Sequence, residues 1–106
     1  RGDREGMQRA LLGAAEAPLE GAAACLEALQ LAADALALGN KHLVSDVACA
    51  NEFANAALAA CAHNVRINHK YLKDANAVAA QSQRLQTIEN QGEALYRATA
   101  ASMRPV

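Results

Sequence analysis

The stretch PLEGAAACLEALQLAADALALGN, residues 18–40, decides the fold. Leu19, Ala22, Leu26, Leu29, Ala33 and Leu36 recur at alternating spacings of three and four, which brings them onto one face of an α-helix. Leu31, Ala35 and Leu38 add apolar surface on another side, while Glu20, Glu27, Gln30 and Asp34 are confined to a narrow polar stripe. A helix that is apolar over most of its circumference is one buried on several sides. Pro18 biases Ala17 away from the α region, so it is either the first residue of this helix or a kink in a longer one. Gly39-Asn40 supplies the stop, because glycine adopts the left-handed C′ conformation without a Cβ penalty.

Working outward, a preceding helix is predicted over residues 3–16, with Asp3 as N-cap and Met7, Leu11 and Ala14 on one face. Downstream, Ser45 or Asp46 is the N-cap of a helix reaching residue 68, whose apolar side is Val47, Phe53, Ala54, Ala57, Leu58, Cys61 and Val65. A last helix runs over residues 74–103, capped by Asp74 and ended by Arg104-Pro105. Its seam of Val78, Leu85, Ile88 and Leu95 is diluted by Gln81, Gly92 and Thr99, which predicts a position at the outside or against another chain. Valine and isoleucine are sparse and never alternate with polar residues, so no strand is expected. The expectation is one all-α domain over residues 1–106, an antiparallel bundle of about four helices.

With one Phe, two Tyr and no Trp in 106 residues, that bundle has a thin core. Hydrophobic stabilisation grows with the apolar area removed from water, and alanine has little to remove. Burying so much alanine requires close helix approach, and the apolar central helix needs more neighbours than the chain supplies. An oligomer or a missing part of the domain is therefore predicted. A net charge of -1 argues against a nucleic-acid partner, and no uncharged apolar run is long enough to span a bilayer. Cys25, Cys49 and Cys61 are scattered among alanines without metal-ligand spacing, which points to a reducing cytoplasm and to no metal site. No phosphate loop, nucleophile elbow or zinc signature is present.

What remains is a set of polar islands. Ser45-Asp46 reads either as a helix start or as the polar lining of a groove. Asn64 and Asn68, one turn apart, share a face with Cys61 and Ala57. Their amides bond to a neighbouring helix, to their own helix end, or to a ligand. Arg66, His69, Lys70 and Lys73 gather at that helix end, where cations offset the dipole and where an anionic tail would also settle. Glu20, Glu27 and Asp34 repeat every seven residues as a solvated stripe, and His42 and His63 have no partner at ligand spacing.

The order of these elements carries a resemblance. Pro18-Leu19 opens a helix, Gly39-Asn40 closes it, Ser45-Asp46 begins the next, Asn64-Val65-Arg66-Ile67-Asn68 ends that one, and Lys70 to Asp74 leads to a last helix. The chain thereby resembles the C-terminal half of the formiminotetrahydrofolate cyclodeaminase and methenyltetrahydrofolate cyclohydrolase family. It departs from the family pattern at Val47 and Asn51-Glu52-Phe53, and at His63 and His69 where apolar or small residues are usual. The resemblance implies a preceding helical half that nothing here matches, supplied by a complementary chain or replaced by further copies in a homo-oligomer. It implies a tetrahydrofolate derivative as substrate and no permanently bound cofactor. It places Ser45, Asp46, Asn64, Arg66, Asn68 and Lys70 at the ligand, with Arg66 or Lys70 at the glutamate tail, and leaves the catalytic acid or base unassigned. The alternative is a non-catalytic helical assembly module with the same fold.

Overall fold

The computed structural model describes residues 2–103 and is helical almost throughout. Three long helices form it: α1 over Gly2–Ala37, α2 over Val44–His69 and α3 over Ala75–Ser102, with a short 3₁₀ turn at Lys41–Leu43. The expected number was about four, and the difference lies at Pro18. The predicted helices over residues 3–16 and 18–38 are one element, with Pro18 inside it. At about 1.5 Å per residue α1 is about 54 Å long, and it sets the length of a slender molecule of 62 × 18 × 16 Å.

The helix ends follow from local chemistry. Because α1 begins at Gly2, Asp3 lies in its first turn with Glu5 and is not its cap. Gly39 takes the left-handed conformation expected of it, with φ of 74°. Asn40 then accepts a hydrogen bond from the His42 amide through its side chain at 2.9 Å. The 3₁₀ turn runs straight into α2, so the capping side chain is Asn40. Ser45 and Asp46 fall inside the first turn, and the nominal N-cap, Leu43, makes no side-chain bond. Asp74 caps α3 as predicted, accepting from the amides of Asn76 and Ala77. The predicted stop at Arg104-Pro105 lies outside the described residues.

The core is a seam shared by the three helices: Leu19, Ala22 and Leu29 from α1, Ala54, Leu58, Ala62 and Val65 from α2, and Leu85 from α3. The residues expected to dilute the α3 seam are the ones it buries, since Gln81, Gly92 and Thr99 join Leu85 on the inner face. Gly92 explains the closeness of packing. A Cβ there would stand 2.8 Å from Leu58 Cδ1 and 3.4 Å from Leu29 Cδ1, so α3 sits against both other helices only because that position is bare.

The predicted burial of the central helix on several sides is not met within the chain. Leu31, Leu38 and Phe53 are 67, 81 and 75 % exposed. Phe53, assigned to the apolar side of α2, points away from the seam. Between α1 and α2 an apolar groove of about 410 Å³ is lined by Ala28, Leu31, Ala35, Leu43, Val47 and Ala50, with Asp46 at its edge. Helical spacing continues this surface along α2 through Phe53, Ala57 and Ala60 to Asn64. The result is one open face of small and apolar residues, with α3 on the other side of the pair. No helix among the described residues is long and apolar enough to cross a membrane.

Glycine substitutions test this packing. Gly92→Val should cost about 2 kcal/mol or more, because overpacking against two buried leucines outweighs removal of a flexible residue. Gly13→Ala, where a Cβ meets nothing within 4 Å, should add roughly 0.5–1 kcal/mol through helix propensity. Urea unfolding of both variants checks the pair.

Candidate functional site

Proline in a helix interior has no N–H for the carbonyl four residues before it. Pro18 therefore frees the Ala14 carbonyl. Asn68, from the last turn of α2, fills that vacancy: its Nδ2 donates to Ala14 O at 3.3 Å and to Asn64 O at 2.8 Å. Both hydrogens of the Asn68 amide are thus committed, and its Oδ1 has no partner among the described residues. The Asn64 side chain is exposed and makes no hydrogen bond there. The same end is fastened again by Gln8, whose Nε2 donates to Tyr71 O at 3.0 Å and whose Oε1 accepts from the Lys73 amide at 2.8 Å. These bonds lay the α2–α3 joint along the N-terminal half of α1.

Beneath that joint lies a polar network that sequence reasoning missed. Glu16 accepts from Gln81 Nε2 at 2.9 Å and from Arg84 at 2.9 Å. A carboxylate only accepts, so the Gln81 amide is oriented with Oε1 toward His69 Nε2, 2.8 Å away. His69 Nε2 must then carry the proton, and Nδ1 accepts from the Ser82 hydroxyl at 3.4 Å. Both ring nitrogens are occupied within the joint. The Arg84 hydrogen bond, followed by the weaker help of Gln81 against desolvation, holds the Glu16 carboxyl below its ordinary pKa. His69 lies directly before Lys70–Asp74 and Gln81 about two helical turns after it, so no spacing in the sequence pairs them. A second fastening lies farther from the joint. Buried Asn51 donates through Nδ2 to the Tyr96 carbonyl at 3.1 Å, while its Oδ1 is buried without a partner among the described residues. The Tyr96 hydroxyl donates to Glu52, which raises its pKa.

The predicted ligand residues do not converge on one point. Asp46 and Asn64 lie on the same open face of α2 but about 27 Å apart along its axis, at 1.5 Å per residue. Asn64 and Asn68 stand together at the end nearer the joint. Ser45 is exposed at the opposite end of the helix. Arg66 lies about 200° around the helix from Asn64, on the α3 side, where it forms a bidentate pair with Glu89. Of the expected cationic patch, Lys70 and Lys73 remain exposed, whereas Arg66 and His69 are engaged.

The family described as formiminotransferase-cyclodeaminase matches this chain over residues 2–87. The chain belongs to that family. The match takes in all of α1 and α2, the joint, and α3 as far as Thr87. It therefore includes every predicted ligand residue and the whole Glu16–Gln81–His69 network. Comparison with curated proteins and with solved structures gives no match.

Two outcomes follow from this geometry. Asn68→Ala should cost about 1 kcal/mol, the usual net worth of a hydrogen bond, and most of that cost should vanish in a Pro18→Ala background, where Ala14 regains a backbone donor. A double-mutant cycle measures the coupling. Acid should also weaken the joint. Glu16 has a lowered folded pKa, so its contribution is present above the ordinary carboxylate pKa and is lost as pH falls through the folded value. Glu16→Gln should flatten that part of the stability profile, and salt should diminish the difference because the pair is partly exposed.

Proposed function

We propose that this chain is the ligand-positioning helical part of a folate-dependent one-carbon enzyme, either a cyclodeaminase or a methenyltetrahydrofolate cyclohydrolase. The supporting observation is the open face shared by α1 and α2. It is apolar along its length and carries two amide groups at one end, the Asn64 side chain and the Asn68 Oδ1. A flat pteridine ring needs apolar contact on its faces and hydrogen-bonding groups at its edge, and this surface supplies both. Lys70 and Lys73, just beyond the amides, are the groups for the carboxylates of a glutamate tail. Arg66 serves less well there because Glu89 already neutralises it. Asp46 belongs to the far end of the face, where a second region of ligand or of a covering helix would lie, whereas Ser45, about 100° further round α2, is off it.

In the cyclodeaminase reaction N10 attacks the formimino carbon and ammonia leaves. In the cyclohydrolase reaction water adds to the methenyl carbon and the ring opens. Both gain from holding the folate in one orientation, and that is the role assigned to Asn64 and Asn68. Proton transfer is not assigned to this chain's residues, since His69 is occupied on both sides. The active form carries a cover over the open face, either a complementary helical half or another copy, and works in the cytoplasm.

Calorimetric titration of the chain with a 5-substituted tetrahydrofolate tests the proposal. Asn64→Ala should leave stability within about 0.5 kcal/mol, as for an exposed side chain, yet weaken binding about tenfold, the equivalent of one hydrogen bond to ligand. Unchanged affinity would remove Asn64 from the site. The exposed Phe53 and Leu31 favour a second reading, an assembly module. That reading takes over if no folate binds and sedimentation shows an oligomer of this chain that Phe53→Asp dissociates without unfolding.

A further inference from the structure

We propose that Cys25 and Cys61 form a reversible thiol–disulfide pair that ties α1 to α2 at the edge of the open face. The two residues come from facing helices, are both half-buried, and pack against the same core cluster. Gly21 lies one turn before Cys25 on the same side of α1. A Cβ at position 21 would stand 3.0 Å from Cys61 Sγ, so the missing side chain is what lets the α2 thiol settle against α1 beside Cys25. Close backbone approach is the condition a disulfide between two helices must meet, because its Cα atoms lie only about 4.4–6.8 Å apart.

The thiols also sense each other. Burial first, and then the neighbouring Cys61, push the Cys25 thiol above its ordinary pKa. Cys25 is thus suited to the second step of an exchange. Cys49, exposed and about 18 Å farther along α2 at 1.5 Å per residue, is outside the pair.

The co-reactant is a low-molecular-weight disulfide such as oxidised glutathione. The Cys61 thiolate attacks one of its sulfurs, and one glutathione leaves as a thiolate. Cys25 then gives up its proton to solvent and attacks the Cys61 sulfur, expelling the second glutathione. Two protein thiols are oxidised, one glutathione disulfide is reduced to two thiols, and excess thiol reverses both steps. The bond would fix the spacing of α1 and α2 beneath the face. The inference is independent of the folate proposal.

The test uses the full chain carrying Cys49→Ser, equilibrated natively in glutathione buffers, quenched by alkylation and analysed by intact mass and peptide mapping. The expected result is an intrachain Cys25–Cys61 crosslink, with Cys25→Ser trapping glutathione on Cys61 instead. Native protein should retain the crosslink at a glutathione ratio about tenfold more reducing than the chain in guanidinium does. Glutathione adducts without a crosslink, interchain dimers, or equal crosslinking of native and unfolded chains would each overturn it.

Discussion

One missing hydrogen bond organises this molecule. Pro18 lies in the middle of a 36-residue helix, where proline ordinarily costs about 3 kcal/mol and breaks the element. The helix continues because the carbonyl that Pro18 abandons is met by an amide from another helix. That amide, Asn68, ends the Asn-Val-Arg-Ile-Asn segment and sits one residue before His69. Satisfying Ala14 thereby fixes where α2 stops against α1, and the joint to α3 follows. Gln8 on one side and the Glu16–Gln81–His69 network on the other hold that joint in register. The Pro-Leu and Asn-Val-x-x-Asn elements, far apart in sequence, are two sides of one contact.

The second constraint is steric. With almost no aromatic residues, the seam reaches useful density only by bringing backbones close, and Gly92 and the buried alanines make room for that. Small residues are not confined to the seam, however. They continue around α1 and α2 onto the open face, where Leu31, Leu38 and Phe53 remain in contact with water. A face of this kind is incomplete in the way an interface is incomplete. The two available amide groups give it a polar end, which distinguishes it from a purely structural packing surface.

Much of this was legible in the residues. Alanine, leucine and helical spacing give an all-helical chain, and Gly39 and Asp74 mark their ends correctly. The excess apolar surface on residues 18–38 anticipates the open face. At Pro18 a helix start and a position inside a longer helix were both open, since local propensity says nothing of a donor fifty residues away, and the longer helix is the one that forms. The caps moved for a similar reason: Asn40 starts the turn before Ser45 or Asp46 can. On α3, Gln81 and Thr99 look like interruptions of an apolar stripe, because burial of a polar side chain depends on partners that only the fold supplies. Asn64 and Asn68 were recognised as a pair, but spacing alone could not show that the Asn68 amide hydrogens were already taken.

The proposed seat of the ligand is the α1/α2 face, with the Asn64–Asn68 amides at its end. Amide and side-chain NMR shifts followed during titration with a 5-substituted tetrahydrofolate test it most directly. Perturbations should concentrate on Asn64, Asn68, Ala57 and Phe53, with the outer face of α3 around Ala80 and Thr87 unmoved. Perturbations centred on that outer face, with the α1/α2 face silent, would contradict it.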